Sequence, residues 1–211
     1  LKEPYRARVV DAIKRSRSQA GLVLVSAHVG PNWGAPSGEM RALARELLDL
    51  GADFYWGHSN HTPQGIELYH GKAILYSSGD FIDDYMVDEN ERNDLSFLFV
   101  LDVEPGRVAR IRLHPVRIEH CRVRLARHQD ALFLQKAMQA KCIALGTPIA
   151  FRDGVGSVTS GAESDTGCGI TRTGRVTPDA ISASATKRLG AQISWKTSAI
   201  ATHLAGTRDN S

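Results

Sequence analysis

Three histidines stand where short apolar runs end. His28 closes Leu22-Val23-Leu24-Val25-Ser26-Ala27, His58 closes Ala52-Asp53-Phe54-Tyr55-Trp56-Gly57, and His61 follows within one turn. Imidazole is the commonest nitrogen ligand for zinc, iron and manganese-type ions. Loops at the C-terminal ends of strands are where open α/β sheets place their ligands. Gly57 lets the backbone turn tightly as it leaves its run, and two imidazoles three residues apart can converge on one cation or on neighbouring cations. Alone, Gly57-His58-Ser59-Asn60-His61 suits equally well a polar loop whose imidazoles bond to backbone. With a second histidine, His28, heading a turn that runs through Asn32, the pattern reads as half of a centre for divalent metal ions (Mn, Fe or Zn).

Other residues near these runs have chemistry of their own. Asp80 opens an acidic loop after another short apolar run and has the type needed for a hard oxygen ligand or for a carboxylate orienting a ligand histidine. Asp83 and Asp84 read as solvated turn residues. Gln64 suits two roles equally, orienting a bound group through its amide or bracing the loop. Arg110, Arg112, Arg117, Arg122, Arg124 and Arg127 offer an anion-binding surface, although alternation along Val108–Leu113 accounts for a solvated strand face. Cys121, Cys142 and Cys168 lack Cys-x-x-Cys spacing, which points to reduced thiols rather than structural zinc or disulfides.

The elements that must position these groups follow from periodicity. Val9, Val10 and Ile13 recur at helical spacing between Glu3 and Gln19. A strand is expected at 22–27. Pro36 and Ser37 open a helix running to about Leu50 with Met40, Leu43, Ala44, Leu47 and Leu48 on one face, and Gly51 closes it. A strand at 53–56 completes an α-β-α-β order, the pattern of a layered α/β domain. Residues 66–69 and 73–77 read as a hairpin turning at His70-Gly71-Lys72. Residues 95–103 and 108–118 form longer strands joined at Glu104-Pro105-Gly106-Arg107. A helix over 128–145 ends at Gly146, and Thr147–Phe151 reads as a last strand. From Thr159 onward Ser, Thr, Ala and Gly dominate and periodicity is lost, so the expected organisation is one domain over 1–158 and a low-complexity, disordered tail over 159–211.

The 211 residues carry a net charge of +3 and 42% hydrophobic residues, enough for a core and too mild a charge to argue for nucleic acid. No apolar run approaches the roughly 20 residues of a membrane span, and the charged N-terminal stretch lacks an apolar signal core, so the expected location is cytoplasmic.

Read in order, the motifs resemble a known family. Ser26-Ala27-His28-Val29-Gly30-Pro31-Asn32-Trp33, then Gly51-Ala52-Asp53, then Gly57 through Tyr69, then Gly71-Lys72-Ala73-Ile74-Leu75-Tyr76-Ser77-Ser78-Gly79-Asp80-Phe81-Ile82 are similar to the CapA family of bacterial capsule and poly-γ-glutamate synthesis, within the calcineurin-like metallophosphatase superfamily. The similarity covers roughly residues 5–155. It implies a partial α/β/β/α sandwich with a metal site at the strand ends. His28 then corresponds to the family's isolated histidine ligand, and His58 and His61 to its final histidine motif. Asn32, Gln64 and Asp80 are the neighbours that would orient ligands or touch substrate. Val29 stands where tryptophan is usual, and Asn60 and Asp80 stand where many members carry proline and asparagine. The family's early Gly-Asp strand and its Asn-His and acidic ligands have no counterpart here, so the chain is expected to be the C-terminal portion of a longer protein.

The resemblance implies a metal-dependent phosphoesterase-like hydrolase when complete. The alternatives are a non-catalytic accessory or truncated remnant in capsule polymer assembly, or a polyanion-binding module. Expected partners are an anionic polymer or a phosphate-containing small molecule.

Overall fold

Ser37 starts the helix after the first histidine loop: its hydroxyl accepts the Met40 amide at 3.2 Å, capping α2 (Gly38–Asp49). Met40, Ala44, Leu47 and Leu48 form the buried stripe of that helix, as the spacing predicts. The computed structural model describes residues 3–160 and, as backbone alone, residues 188–189 and 200–205. Before α2 come α1 (Tyr5–Arg17) and β1 (Leu24–Ala27). After it come β2 (Phe54–Gly57), β3 (Ile66–Tyr69), β4 (Lys72–Leu75), β5 (Leu95–Glu104), β6 (Arg107–Glu119), β7 (Arg122–Leu125), α3 (His128–Ile143), β8 (Ala150–Arg152) and β9 (Val155–Thr159). Two short strands, β10 (Arg188–Leu189) and β11 (Ile200–Ala205), follow.

Two sheets are stacked. The first has the order β1-β2-β4-β3, with β1, β2 and β4 parallel and β3 antiparallel at the far edge. The second is built on the long β5–β6 hairpin, with β9 and β8 beyond β6, β7 also paired to β6, and β11 beside β5. Between the sheets Phe54, Ile66 and Leu75 of the first meet Phe97, Phe99, Leu101, Ile111 and Leu113 of the second, and α3 adds Leu134, Met138 and Cys142. Each such side chain, fully buried, contributes roughly 1.5–3 kcal/mol. The opposite face of the first sheet presents Tyr55, Ile74 and Tyr76 to Ile13 of α1 and to the stripe of α2. This is the expected layered α/β arrangement, and among the described residues it comprises the layers α, β and β.

Three readings of the strands change. The segment expected as a last strand at 147–151 is β8 at 150–152. It turns at Asp153-Gly154, both with positive φ (51° and 80°), into β9. The end of β6 likewise turns at His120-Cys121 (φ 49° and 56°) into β7, which no apolar alternation announced. The arginine face of β6 is not simply solvated, because Arg112 donates to Asp102 across the β5–β6 pair at 2.8 Å. The tail expected over 159–211 lies outside the described residues, apart from Thr159, Ser160 and the two strands named above. Among the described residues no helix is long and apolar enough to cross a membrane.

Candidate functional site

Parallel pairing in register brings the histidines together. Ala27 lies opposite Gly57 in the β1–β2 pair, so the next residues, His28 and His58, leave the sheet side by side with ring centroids 5.4 Å apart. β4 runs parallel to β2 on its other side, Leu75 opposite Trp56, and its outgoing loop carries Asp80 to the same edge. There both Asp80 carboxylate oxygens lie within hydrogen-bond reach of His61 Nδ1, at 2.9 and 3.1 Å. Gly57 is required at the strand end: a Cβ there would run into the Tyr76 carbonyl.

The two histidine loops are stapled to one another. The His58 amide donates to the Ala27 carbonyl at 3.1 Å and the His61 amide to the Asn32 carbonyl at 2.9 Å. The Ser59 hydroxyl donates to the Gly30 carbonyl at 2.8 Å, and the Asn60 side-chain amide to the Gly34 carbonyl at 2.9 Å. Asn60 Oδ1, buried, accepts the amide and hydroxyl of Thr62, each at 2.9 Å, and the Gln64 amide at 3.3 Å. The Asp80 amide donates back to the His61 carbonyl at 3.2 Å. These bonds tie the buried turn at Ser59–Gln64 to the carbonyls of the exposed His28 loop, and that fixes where His58 and His61 stand.

Burial, and secondarily the neighbouring His28, push the His58 imidazole below its ordinary pKa and favour its neutral form. Its Nε2 lies 3.0 Å from the Ser26 hydroxyl. Asp80 is held above the ordinary carboxylate value by burial, against the pull of His61. Aromatic rings wall the site. Trp33 stands 5.2 Å from the His61 ring, Tyr85 meets that ring edge-on at 5.3 Å, and Trp56 stands 5.4 Å from His58. The Trp56 indole Nε1 is buried with no hydrogen-bond partner among the described residues.

The expected site residues thus fall into three groups. His28 and His58 are adjacent, and His61 is joined to Asp80 in the arrangement that orients a ligand histidine. Asn32 contributes its backbone carbonyl to a loop staple. Gln64 is buried and braces the loop through Asn60 and Thr62. The reading missed Ser26, Trp33 and Tyr85. Ser26 was discoverable from strand alternation, since it precedes the buried Ala27 and must face the other way.

A metal of the type implied by the resemblance fits these residues by donor type, since neutral imidazoles suit borderline divalent ions, and by the Asp80–His61 orientation. It does not fit by number: no three His, Cys, Asp or Glu side chains among the described residues gather closely enough to hold an ion.

Comparison with known proteins adds to this geometry. Residues 1–85 match the family described as bacterial capsule synthesis protein PGA_cap. A probable polyglutamine synthesis accessory protein of Mycobacterium tuberculosis is 32% identical over 151 residues, covering 66% of this chain and 39% of the relative. The PGA biosynthesis protein CapA of Bacillus subtilis is 37% identical over 76 residues, 36% of this chain and 20% of the relative. The capsule biosynthesis protein CapA of Bacillus anthracis is 38% identical over 69 residues, 32% and 17% respectively. The chain spans about two fifths of the length of the mycobacterial relative.

Proposed function

Because the chain belongs to the CapA family of bacterial capsule synthesis proteins, we propose that it acts as an accessory protein in the synthesis of a capsule or polyglutamate polymer, and that its strand-end histidines are the imidazole half of a metallophosphatase-type metal site. The observation that carries this reading is the Asp80–His61 pair. A carboxylate on Nδ1 fixes the ring and its tautomer and leaves Nε2 free for an ion. His28 and His58, neighbours on the same edge, would supply the other imidazoles, and His58 would exchange its contact with Ser26 for the ion. The remaining donors would come from outside the described residues. When bound, such an ion would polarise a phosphate- or carboxylate-type oxygen and activate water.

One observation favours a second reading, a non-catalytic accessory role: no three potential ligands gather among the described residues. Metal content separates the ligand assignment from chance. After loading with Mn and, separately, Zn, the protein should retain more metal than His61→Ala or His58→Ala; equal content in all three overturns the assignment. Phosphodiesterase turnover with Mn that disappears in His61→Ala would support the hydrolase reading over the accessory one, and metal retention without turnover would support the reverse.

A further inference from the structure

The second sheet carries a feature that the histidine site does not use. Where β6 turns into β7 and the chain enters α3, a cleft of about 580 Å³ is lined by Arg117, Arg124, Arg127 and His128 together with the carboxylates of Glu119 and Asp130. The six arginines of this region have different fates. Arg110 and Arg112 face Asp102, and Arg117 bridges Asp94 and Asp130. Asp130 is further neutralised by Arg92. Arg122, Arg124 and Arg127 are exposed and make no ion pair among the described residues.

Arg124 also lies directly opposite Arg117 across the β6–β7 pair, and like charges facing each other across two strands destabilise the pairing. Arg127 stands at the cap position of α3 without a capping side-chain bond, so a cation occupies a helix end whose dipole repels it, one turn from Asp130, which the dipole favours. These choices are unfavourable for the isolated fold, and an anion in the cleft would turn each into an attraction. Guanidinium forks hold carboxylates or phosphates through paired hydrogen bonds.

We infer that the β7–α3 cleft is a binding site for a linear polycarboxylate, with Arg124 and Arg127 as its principal contacts. The choice of polymer rests on the capsule-polymer reading above. Arg122, outside the cleft lining and opposite Glu119 in the β6–β7 register, shares a strand face with Arg124 at a spacing of roughly 6.5 Å and extends the cationic track beyond the cleft. Among the described residues the cleft is lined by no Phe, Tyr or Trp, its one ring being the exposed His128, and its only large apolar side chain is the exposed Leu125. That sets a polycarboxylate apart from a nucleic acid.

Fluorescence polarisation with labelled poly-γ-glutamate, and with an oligodeoxynucleotide of equal charge, tests the assignment. The wild-type chain should bind polyglutamate and lose about tenfold or more in affinity at moderate salt when Arg124→Gln and Arg127→Gln are combined, as expected for lost charge-assisted hydrogen bonds. Arg124→Lys with Arg127→Lys should keep part of the binding. Both side chains are exposed and make no ion pair among the described residues, and they face like charge or the helix dipole, so a melting temperature equal to or slightly above the wild type's will show that the fold is retained. His61→Ala should bind polymer as the wild type does, whatever it does to metal. No wild-type binding, equal binding by the double Gln variant, or equally Arg-dependent oligonucleotide binding would each overturn the assignment. Polymer binding lost in His61→Ala but kept in the double Gln variant would place the polymer at the histidines, overturning this site while leaving the capsule-polymer reading intact.

Discussion

The histidine edge of the first sheet and the arginine cleft of the second gather their charges in opposite ways. Around His58 and His61 the turn is bonded to the carbonyls of the His28 loop, Asn60 and Gln64 are buried as braces, and His61 is only 24% exposed. Around Arg124 and Arg127 the side chains are exposed, and a like charge faces Arg124 across the strand pair. The first region is preorganised, so a ligand there encounters groups already aimed and loses little in ordering them. The second is held by charge alone, so binding there should be salt-sensitive and tolerant of ligand shape. Rigidity at one edge and open charge at the other suit a chemical centre and a polymer track respectively.

The contrast breaks most completely at Gly57. Replacing it by alanine pushes a methyl group into the Tyr76 carbonyl, which is backbone and cannot step aside. β2 and β4 must then separate, and with them the loops carrying His58 and Asp80. Destabilisation of about 3–5 kcal/mol, or loss of a cooperative urea transition, is expected. Gly21→Ala, with open space around its Cβ, should melt as the wild type does. A cooperative, wild-type-like Gly57→Ala would mean that the histidine edge is not rigid in the way described.

Asn60→Ala sharpens the same point at lower cost. It strands the buried Thr62 amide and takes one acceptor from the buried Gln64 amide, which keeps Thr62, and should remove about 2 kcal/mol. Its particular signature is faster hydrogen exchange at the His61 amide, whose bond to the Asn32 carbonyl depends on this loop staple. Unchanged exchange there, with stability lost, would show that Asn60 supports the core but not the site.

Much of this arrangement was legible in the chain. Apolar runs ending in His28 and His58 announced parallel strands opening on one edge, and the Ser37 cap and the α2 stripe fell where spacing put them. What stayed hidden depends on pairing between distant residues. β7 has no apolar alternation because it lies on an exposed margin, with Arg122, Arg124 and Leu125 all exposed. The strand expected at 147–151 stopped short of β9 altogether, although Asp153-Gly154 is a recognised hairpin turn signal. Gln64 illustrates the other difficulty. Its type suited ligand contact or bracing equally, and only the position of Asn60, itself fixed by Gly34 from another loop, decides for bracing. The Arg117–Arg124 opposition likewise exists only once β6–β7 register is set.

The smallest expected effect concerns the protonation of His58, and it tests whether the histidine edge is electrostatically a unit. Its pKa lies below the ordinary imidazole value, chiefly through burial and next through His28. The unfolded chain therefore takes up a proton at higher pH than the folded one. The sign follows from linkage: stability falls as pH drops below about 6.5 and levels off once pH passes below the folded value. In an NMR titration the His58 midpoint should sit below 6.5, and His28→Gln should move it upward only part of the way, because burial is the larger cause and remains. A midpoint at or above 6.5 would mean that His58 is better solvated than its place beside Trp56 implies. A full return in His28→Gln would mean instead that the neighbouring imidazole, and not burial, keeps His58 neutral.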